Sequence, residues 1–149
     1  MAQTKKVAAY NTNSVVGAPV LAASAASVLQ GVFVGLDTAG KIKPADYRAS
    51  AGPIVARGTA LQDAVMKDPK GNTLDTLKQG SYSFEGRIKG LTDRNGAALT
   101  PGATYYLHSG GGVSATAPAT TTGDLDLIVG YALSADELLV KIGTEIIHA

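Results

Sequence analysis

Two residue types are missing from this sequence, and several others are scarce. It has no cysteine and no tryptophan, and aromatic residues make up only 5% of it. The missing cysteine excludes a disulfide framework and any metal site built on thiolates. Acidic and basic residues nearly cancel, 12 against 13, and no basic run is longer than the pair Lys5 and Lys6. With a formal net charge of only +1, we expect no nucleic-acid partner.

Charge is also absent from one long stretch, residues 14–36, SVVGAPVLAASAASVLQGVFVGL. Its length would span a bilayer, but Pro19, Gln30, three Ser and three Gly dilute an apolar set made largely of Ala. An export signal fits poorly, because AAYNTN separates Lys5 and Lys6 from the apolar residues. We therefore expect no membrane span, and a segment that lies on a surface or pairs with a strand.

Composition divides the chain at about residue 30. Residues 1–14, MAQTKKVAAYNTNS, show neither a helical period nor a clean alternation, which indicates an arm without its own core. A helix is expected near APVLAASAASVLQG, with Gly31 as its stop. We interpret 1–30 as an N-terminal arm with an Ala-rich segment and 31–149 as a β-domain. The predicted fold is mainly β: a single antiparallel β-barrel or β-sandwich domain with an extended N-terminal arm and at most one short helix.

Strand patterns follow one another through the β-domain. SYSFEGRIKGL, residues 81–91, alternates well and predicts one half-buried antiparallel strand, with Gly86 and Ile88 on its inner face. TPGA, residues 100–103, has Pro and Gly where a type II turn needs them. The other predicted strands are VFVGL (32–36), KIK (41–43), PIVARGTAL (53–61), TYYLH (104–108), VSATA (113–117), LDLIVGYAL (125–133) and ELLVKIG (137–143). Turns at DTAG (37–40), SGGG (109–112) and SAD (134–136) predict three hairpins between neighbouring strands of this series.

The second half of the chain echoes the first at a constant offset of 72 residues. Such an echo predicts two similar three-strand units, 31–66 and 103–138, that share a core, although Gly and Ala matches come easily in a chain so rich in both. The identical pairs are Gly40 and Gly112, Gly58 and Gly130, Ala60 and Ala132, and Leu61 and Leu133.

No catalytic set is visible in the sequence. His108 and Ser109 adjoin within LHSGG, but the G-x-S-x-G elbow is absent and no helix follows. SGGG also lacks the Gly-Lys-Ser/Thr of a phosphate loop. We expect His108 to be a solvated turn residue, His148 to lie at a frayed terminus, and the protein not to be an enzyme.

The carboxylates do not form a recognisable metal site either. Asp124 with Asp126, and Asp68 with Asp75, are the closest groupings, and neither follows the spacing of a calcium loop. Asp beside Gly and Pro is more typical of turns. We expect no metal and no cofactor. In TYYLH, successive side chains alternate, so one of the two tyrosines should lie in the core and the other outside.

The amino-acid sequence of the second half resembles a module that recurs in structural proteins of tailed bacteriophages. A G-x-x-x-G-L strand, L-T-P-G-x-x-Y-Y-L with a Gly-rich turn, a Thr-rich loop ending in T-G-D, and V-G-x-A-L-S-x-x-x-L-L-V follow in that order over about residues 84–143. The matching residues are Gly86, Gly90, Leu91, Leu99 to Gly102, Tyr105 to Leu107, Pro118, Thr120 to Asp124, Gly130, Ala132 to Ser134, and Leu138 to Val140.

The resemblance implies a capsid decoration (cement) protein. It implies a homotrimer that sits on the outer surface of the expanded capsid at three-fold positions and contacts the major capsid protein, after synthesis in the host cytoplasm. The short chain without a repetitive shaft, and its Ala-rich arm, favour the capsid over the tail. The arm looks like the clamp of small cement proteins, with candidate capsid contacts at Lys5, Lys6, Val7, Tyr10, Val15 and Val16.

Two other functions remain open. The same module occurs in tail fibres, so a tail-fibre or baseplate module that binds a host receptor or glycan is the alternative. Its candidate residues are Tyr105 or Tyr106 with His108 and Asp124. An enzyme would need a convergent acid–base set, which this sequence does not offer.

Overall fold

The computed structural model describes residues 9–10, 20–23, 31–60, 70, 79–83 and 85–149. This part of the chain holds no α-helix, only two 3-10 turns at Ala49–Ala51 and Ser109–Gly111, and therefore no helix that could cross a membrane. The mainly β prediction is confirmed. The strands are β1 (Ala9–Tyr10), β2 (Val20–Ala23), β3 (Phe33–Leu36), β4 (Ile42–Pro44), β5 (Gly58–Ala60), β6 (Gln79–Ser83), β7 (Glu85–Lys89), β8 (Thr104–Leu107), β9 (Val113–Ser114), β10 (Leu125–Asp126), β11 (Ile128–Ala132), β12 (Glu137–Lys141) and β13 (Ile146–Ile147).

The described strands form two main antiparallel sheets and one small pair. The six-stranded sheet has the order β1-β7-β12-β11-β8-β9, and the five-stranded sheet has the order β2-β6-β5-β3-β4. The remaining strands, β10 and β13, pair with each other. Both sheet orders are open ladders, not closed barrels, so of the two predicted architectures the sandwich fits.

One apolar cluster joins the two main sheets. The inner face of the six-stranded sheet contributes Ile88, Leu138 and Val140, while Phe33 comes from the five-stranded sheet. All four are at most 1% exposed. Removal of this apolar surface from water is the main force that holds the layers together.

The predicted hairpins and turns are confirmed. Strands β3 and β4, β8 and β9, and β11 and β12 pair as neighbours in sequence. In TPGA, Gly102 has φ 80° and the Ala103 N–H donates to the Thr100 carbonyl at 3.0 Å, as a type II turn requires. After β3, the side chain of Asp37 accepts hydrogen bonds from the N–H groups of Ala39 and Lys41.

Two of the predicted long strands are each divided between sheets. The segment 81–91 was predicted as one strand, but β6 pairs within the five-stranded sheet and β7 within the six-stranded sheet. The segment 125–133 gives β10, which pairs with β13, and β11, which pairs with β8 and β12. A strand that passes from one sheet to another keeps its alternation, so the pattern alone does not reveal the division.

The predicted helix near residues 18–31 is wrong where the structure describes it. Val20–Ala23 is the edge strand β2, paired with β6 from Val20 opposite Tyr82 to Ala23 opposite Gln79. Ala favours a helix only slightly, and backbone pairing with an available sheet edge overrides that preference.

Other predicted strands are shorter than their patterns. PIVARGTAL forms an isolated bridge at Ile54 and then Gly58–Ala60, and VSATA pairs only at Val113–Ser114. The division into an arm and a β-domain stays a prediction. In the described part, however, Ala9–Tyr10 joins the edge of the six-stranded sheet beside β7.

Candidate functional site

His108 lies at the centre of a buried polar cluster, not in solvent as the sequence suggested. His108 is only 8% exposed, and its ring packs edge-on against the ring of Tyr47, with 5.1 Å between the ring centroids. Nδ1 accepts a hydrogen bond from the Ser109 N–H at 2.8 Å, and Nε2 lies 2.9 Å from Nη1 of Arg94. Burial, together with the positive charge of Arg94, lowers the pKa of His108 to about 4.

The same cluster contains a carboxylate–guanidinium pair. Asp46 Oδ2 accepts from Nη2 of Arg48 at 2.7 Å, and Oδ1 accepts from Nε and the backbone N–H of the same arginine. Burial acts to raise the pKa of Asp46, but these hydrogen bonds bring that pKa below its usual value. Next to it, the Gly111 N–H donates to the Ala45 carbonyl. The cluster therefore fastens the 3-10 turn at Ser109–Gly111 to the segment that follows β4.

The chemistry of this cluster fits a structural role better than catalysis. Ser109 Oγ lies 3.1 Å from Nδ1 of His108, which superficially resembles a nucleophile beside a base. In a hydrolase the far nitrogen of the base faces a carboxylate, which stabilises the protonated ring. Here it faces the guanidinium of Arg94, which opposes protonation. At neutral pH the ring is a poor proton acceptor.

Asp124 organises the Thr-rich loop from within. The carboxylate accepts hydrogen bonds from three backbone N–H groups: Ala49 at 2.9 Å, and Thr120 and Thr121 at 3.1 Å each. The bond from Ala49, followed by those from Thr120 and Thr121, lowers the pKa of Asp124 to about 2. The residue is only 4% exposed, so it ties the loop to the 3-10 turn at Ala49–Ala51 and is not presented to a ligand.

The remaining predicted site residues are dispersed. Tyr105 is 2% exposed and its hydroxyl accepts from the Thr100 N–H, whereas Tyr106 is partly buried on the other face, so the core assignment of one tyrosine is confirmed. Asp68 and Asp75 lie outside the described residues. Asp126 is 3.7 Å from Nδ1 of His148. Across the residues that can be described, no three His, Asp or Glu side chains come together as a metal site.

The most conspicuous surface feature is apolar and lies on the outer face of β11. Along β10 and β11, Asp126 and Ile128 share one side, and a register shift between Ile128 and Gly130 brings Tyr131 to that side as well. The three side chains Ile128, Tyr131 and Leu133 are 41, 41 and 42% exposed.

Two neighbouring strands extend this apolar surface. Leu139 on β12 stands directly opposite Tyr131 and is half-buried. On the other side of the β10–β11 segment, Ile146 of β13 is opposite Asp126 and is 61% exposed. Because directly paired residues point to the same face, these side chains continue one surface. We call it the outer-face stripe: Ile128, Tyr131, Leu133, Leu139 and Ile146.

Charges of both signs border the outer-face stripe. Arg87 on β7 is opposite Leu139 and forms an ion pair with Glu137 on β12. Lys89 is opposite Glu137, and Lys141 ends β12 on the same face. Asp126 lies on the same side, opposite Ile146 and two residues before Ile128, so the surface is apolar apart from this one carboxylate and has further charges at its rim.

Close backbone packing supports the stripe from behind. Gly130 has its α-carbon so near the β12 backbone that a β-carbon there would collide with the carbonyl oxygen of Leu139. The resemblance to the phage module includes this glycine. Its lack of a side chain lets β11 and β12 approach while Tyr131 and Leu139 stand beside each other outside.

Of the candidate arm contacts, the structure places one. Tyr10 belongs to β1, and its backbone lies opposite Ile88 of β7. Lys5, Lys6, Val7, Val15 and Val16 lie outside the described residues.

Comparison with known proteins supports the fold. No protein-family model matches the chain, and no curated protein sequence does. Among solved structures, the chain is similar to one from Mycobacterium phage Patience, with a TM-score of 0.58 and 12% sequence identity. The match covers 94% of this chain and 98% of that one. It shows that a chain from a phage shares this fold over most of its length.

Sequence reasoning missed both the buried cluster and the stripe. His108 is covered by Tyr47 and Arg94, which are distant in sequence, so no local pattern announces its burial. The sequence does contain one indication of the stripe. The segment LDLIVGYAL has apolar residues on both faces, whereas a strand with one solvated face should alternate apolar and polar residues.

Proposed function

We propose that this chain is a structural protein of a bacteriophage virion. The observation that carries the proposal is the fold shared over nearly the whole length with a chain from Mycobacterium phage Patience. Residues 84–143 also resemble, in sequence, a module of phage structural proteins. That region supplies β7, β8, β9, β11 and β12, which are five of the six strands of one sheet.

We further propose the role of a capsid decoration protein. In this role a homotrimer binds the outer surface of the expanded capsid and bridges neighbouring major capsid subunits. Many identical contacts across subunit boundaries would stabilise the assembled form by mass action. The buried cluster and Asp124 then serve rigidity, and the protein needs no catalytic group, cofactor, nucleic acid or membrane. The N-terminal residues Lys5, Lys6, Val7, Tyr10, Val15 and Val16 remain the proposed capsid contacts.

The tail-module alternative has lost support at its candidate residues. Of its candidates, Tyr105 is buried and Tyr106 is partly buried, and the ring nitrogens of His108 and the carboxylate of Asp124 contact protein groups. A receptor or glycan would have to use other residues, and no particular surface of the described chain favours one.

The decisive experiment is co-sedimentation of the purified protein with expanded heads that lack it. We expect saturable binding at a copy number that fits trimers on the capsid lattice. Unexpanded heads are the control and should bind much less. Absence of binding to expanded heads would refute the decoration role and direct attention to a tail module.

A truncation tests the arm separately. Removal of residues 1–8 leaves β1 and its pairing with β7 intact, whereas removal of 1–14 would also delete this edge strand. We expect the shorter truncation to keep the far-UV spectrum and to weaken binding to heads. Undiminished binding would refute the proposed contacts at Lys5, Lys6 and Val7.

A further inference from the structure

The exposed apolar side chains of this protein are concentrated on one surface. The described chain has six large apolar side chains that are strongly exposed, and four of them, Ile128, Tyr131, Leu133 and Ile146, belong to the outer-face stripe. From position 126 to 133 the stripe is roughly 23 Å long, at about 3.3 Å per residue. It exposes on the order of 350 Å² of apolar surface, which is the size of the largest apolar patch on many monomers, and such patches are often functional.

A decoration protein has to carry this surface through the cytoplasm before it meets a capsid. An apolar stripe left open during that time would promote unspecific association, all the more because the net charge is only +1. The partner available from the moment of synthesis is another copy of the same chain. Interfaces between permanent homo-oligomer subunits are also the more apolar class, as this stripe is.

The charges at the rim suit contact between identical copies. Arg87 and Glu137 pair with each other within one chain, but the same rim carries Lys89 and Lys141, and Asp126 lies on the stripe side, so a second copy can meet these charges with opposite ones. A surface of a single sign would instead repel its own copy. The stripe supplies about half of the roughly 800 Å² that each partner contributes to a stable interface, and the polar rim can provide the rest.

We propose that the outer-face stripe is the surface through which copies of this chain associate around their symmetry axis. This inference rests on the proposed function in that it assigns a surface to the proposed trimer. It leaves the capsid contacts to other parts of the chain. The stripe is buried in the assembled trimer and is not the surface that faces the capsid.

The test is a matched pair of substitutions, Leu133→Glu and Leu36→Glu. Both leucines are at strand ends and are almost equally exposed, 42 and 40%, but Leu36 belongs to the five-stranded sheet. We expect the wild type and the Leu36→Glu variant to have the mass of a trimer in sedimentation equilibrium at micromolar concentration. The Leu133→Glu variant should be monomeric, with association weakened at least about 100-fold, because it would bury a charge in an apolar interface.

Cysteine cross-linking provides a test that does not disturb the fold. The chain contains no cysteine, so Tyr131→Cys and Leu36→Cys each introduce a single thiol. Near a rotation axis, identical residues approach one another, and we expect a bismaleimide linker to join chains at position 131 and not at position 36. Cross-linking at 36 alone, or a monomeric wild type, would overturn the inference.

The same variants separate this inference from the proposed function. If Leu133→Glu keeps the trimer mass but no longer binds expanded heads, the stripe faces the capsid and the inference is wrong while the decoration role stands. If the wild type is a trimer that depends on Leu133 but does not bind heads, the inference stands and the decoration role fails.

Discussion

The buried histidine predicts how the stability of this protein depends on pH. The pKa of His108 is about 4 in the folded protein, against an ordinary value of 6.5. A group with a lowered pKa binds a proton more readily in the unfolded chain. The contribution of His108 to the free energy of unfolding is therefore fully present above about pH 6.5 and is lost as the pH drops toward about 4.

The size of this effect follows from the gap between the two values. Taken in full, a gap from 6.5 to about 4 corresponds to about 3 kcal/mol. Asp46, in the same cluster, favours the protonated ring, while Arg94 and Arg48 oppose it, and the Arg48 side chain is largely open to solvent. We therefore expect a loss of about 2 kcal/mol from His108 between pH 7 and pH 4.

The assay is urea unfolding at a fixed protein concentration, followed by circular dichroism at several pH values. The variant His108→Gln removes the titrating ring, and His148→Gln removes the only other histidine in the chain as a control. We expect the wild type and His148→Gln to lose stability in parallel, and His108→Gln to lose about 2 kcal/mol less. Equal pH dependence for all three would refute the account of His108.

Three further outcomes follow from the site. Gly111→Ala should destabilise the fold by about 3 kcal/mol or more, because Gly111 has φ 75° and an added β-carbon would strike Val32 and the Phe33 backbone. The adjacent Gly112→Ala, with φ −78° and only ordinary van der Waals contacts for the added carbon, should change the urea midpoint little. Asp124→Ala should lower Tm and make the 118–124 loop sensitive to protease, since three N–H groups lose their acceptor. The difference in Tm from the wild type should shrink as the pH falls from 3.8 toward about 2, because the wild-type carboxylate then loses its charge. Glu137→Gln should cost at most about 1 kcal/mol of monomer stability in urea, because its partner Arg87 is substantially exposed, and a larger loss would mean that the pair supports the fold itself.

Local sequence chemistry was sufficient for the elements that depend on neighbours in the chain. The TPGA turn, the Asp37 turn and the three hairpins depend on residues a few positions apart, and the structure has them where they were predicted. The inward positions of Ile88 and Gly86 also follow from simple alternation.

Features that depend on distant residues were not predictable in this way. Val20–Ala23 became a strand because β6 offers an edge, and nothing within its Ala-rich surroundings indicates that partner. His108 is buried by Tyr47 and Arg94. Tyr131 reaches the outer face because of a register shift at Ile128, and a strict period of two would not have placed both residues on one side.

The division of the chain between the sheets bears on how such a protein is built. Residues 20–83 supply the whole five-stranded sheet, and residues 85–141 supply the six-stranded sheet except for β1. Within these halves, β5-β3-β4 and β11-β8-β9 have the same order, and the offset of 72 residues relates the members of the two sets. The duplication itself stays a prediction, but the shared order is what it requires.

The outer-face stripe depends on the pairing of β11 with β12. This pairing places Leu139 next to Tyr131, and β12 also carries Glu137, which forms the ion pair with Arg87 of β7. In the first half the neighbour of β5 is β6, whose chain continues directly into β7 of the other sheet. The stripe is therefore formed on the six-stranded sheet and on the β10–β13 pair beside it, because these are the strands that bring its side chains to one face.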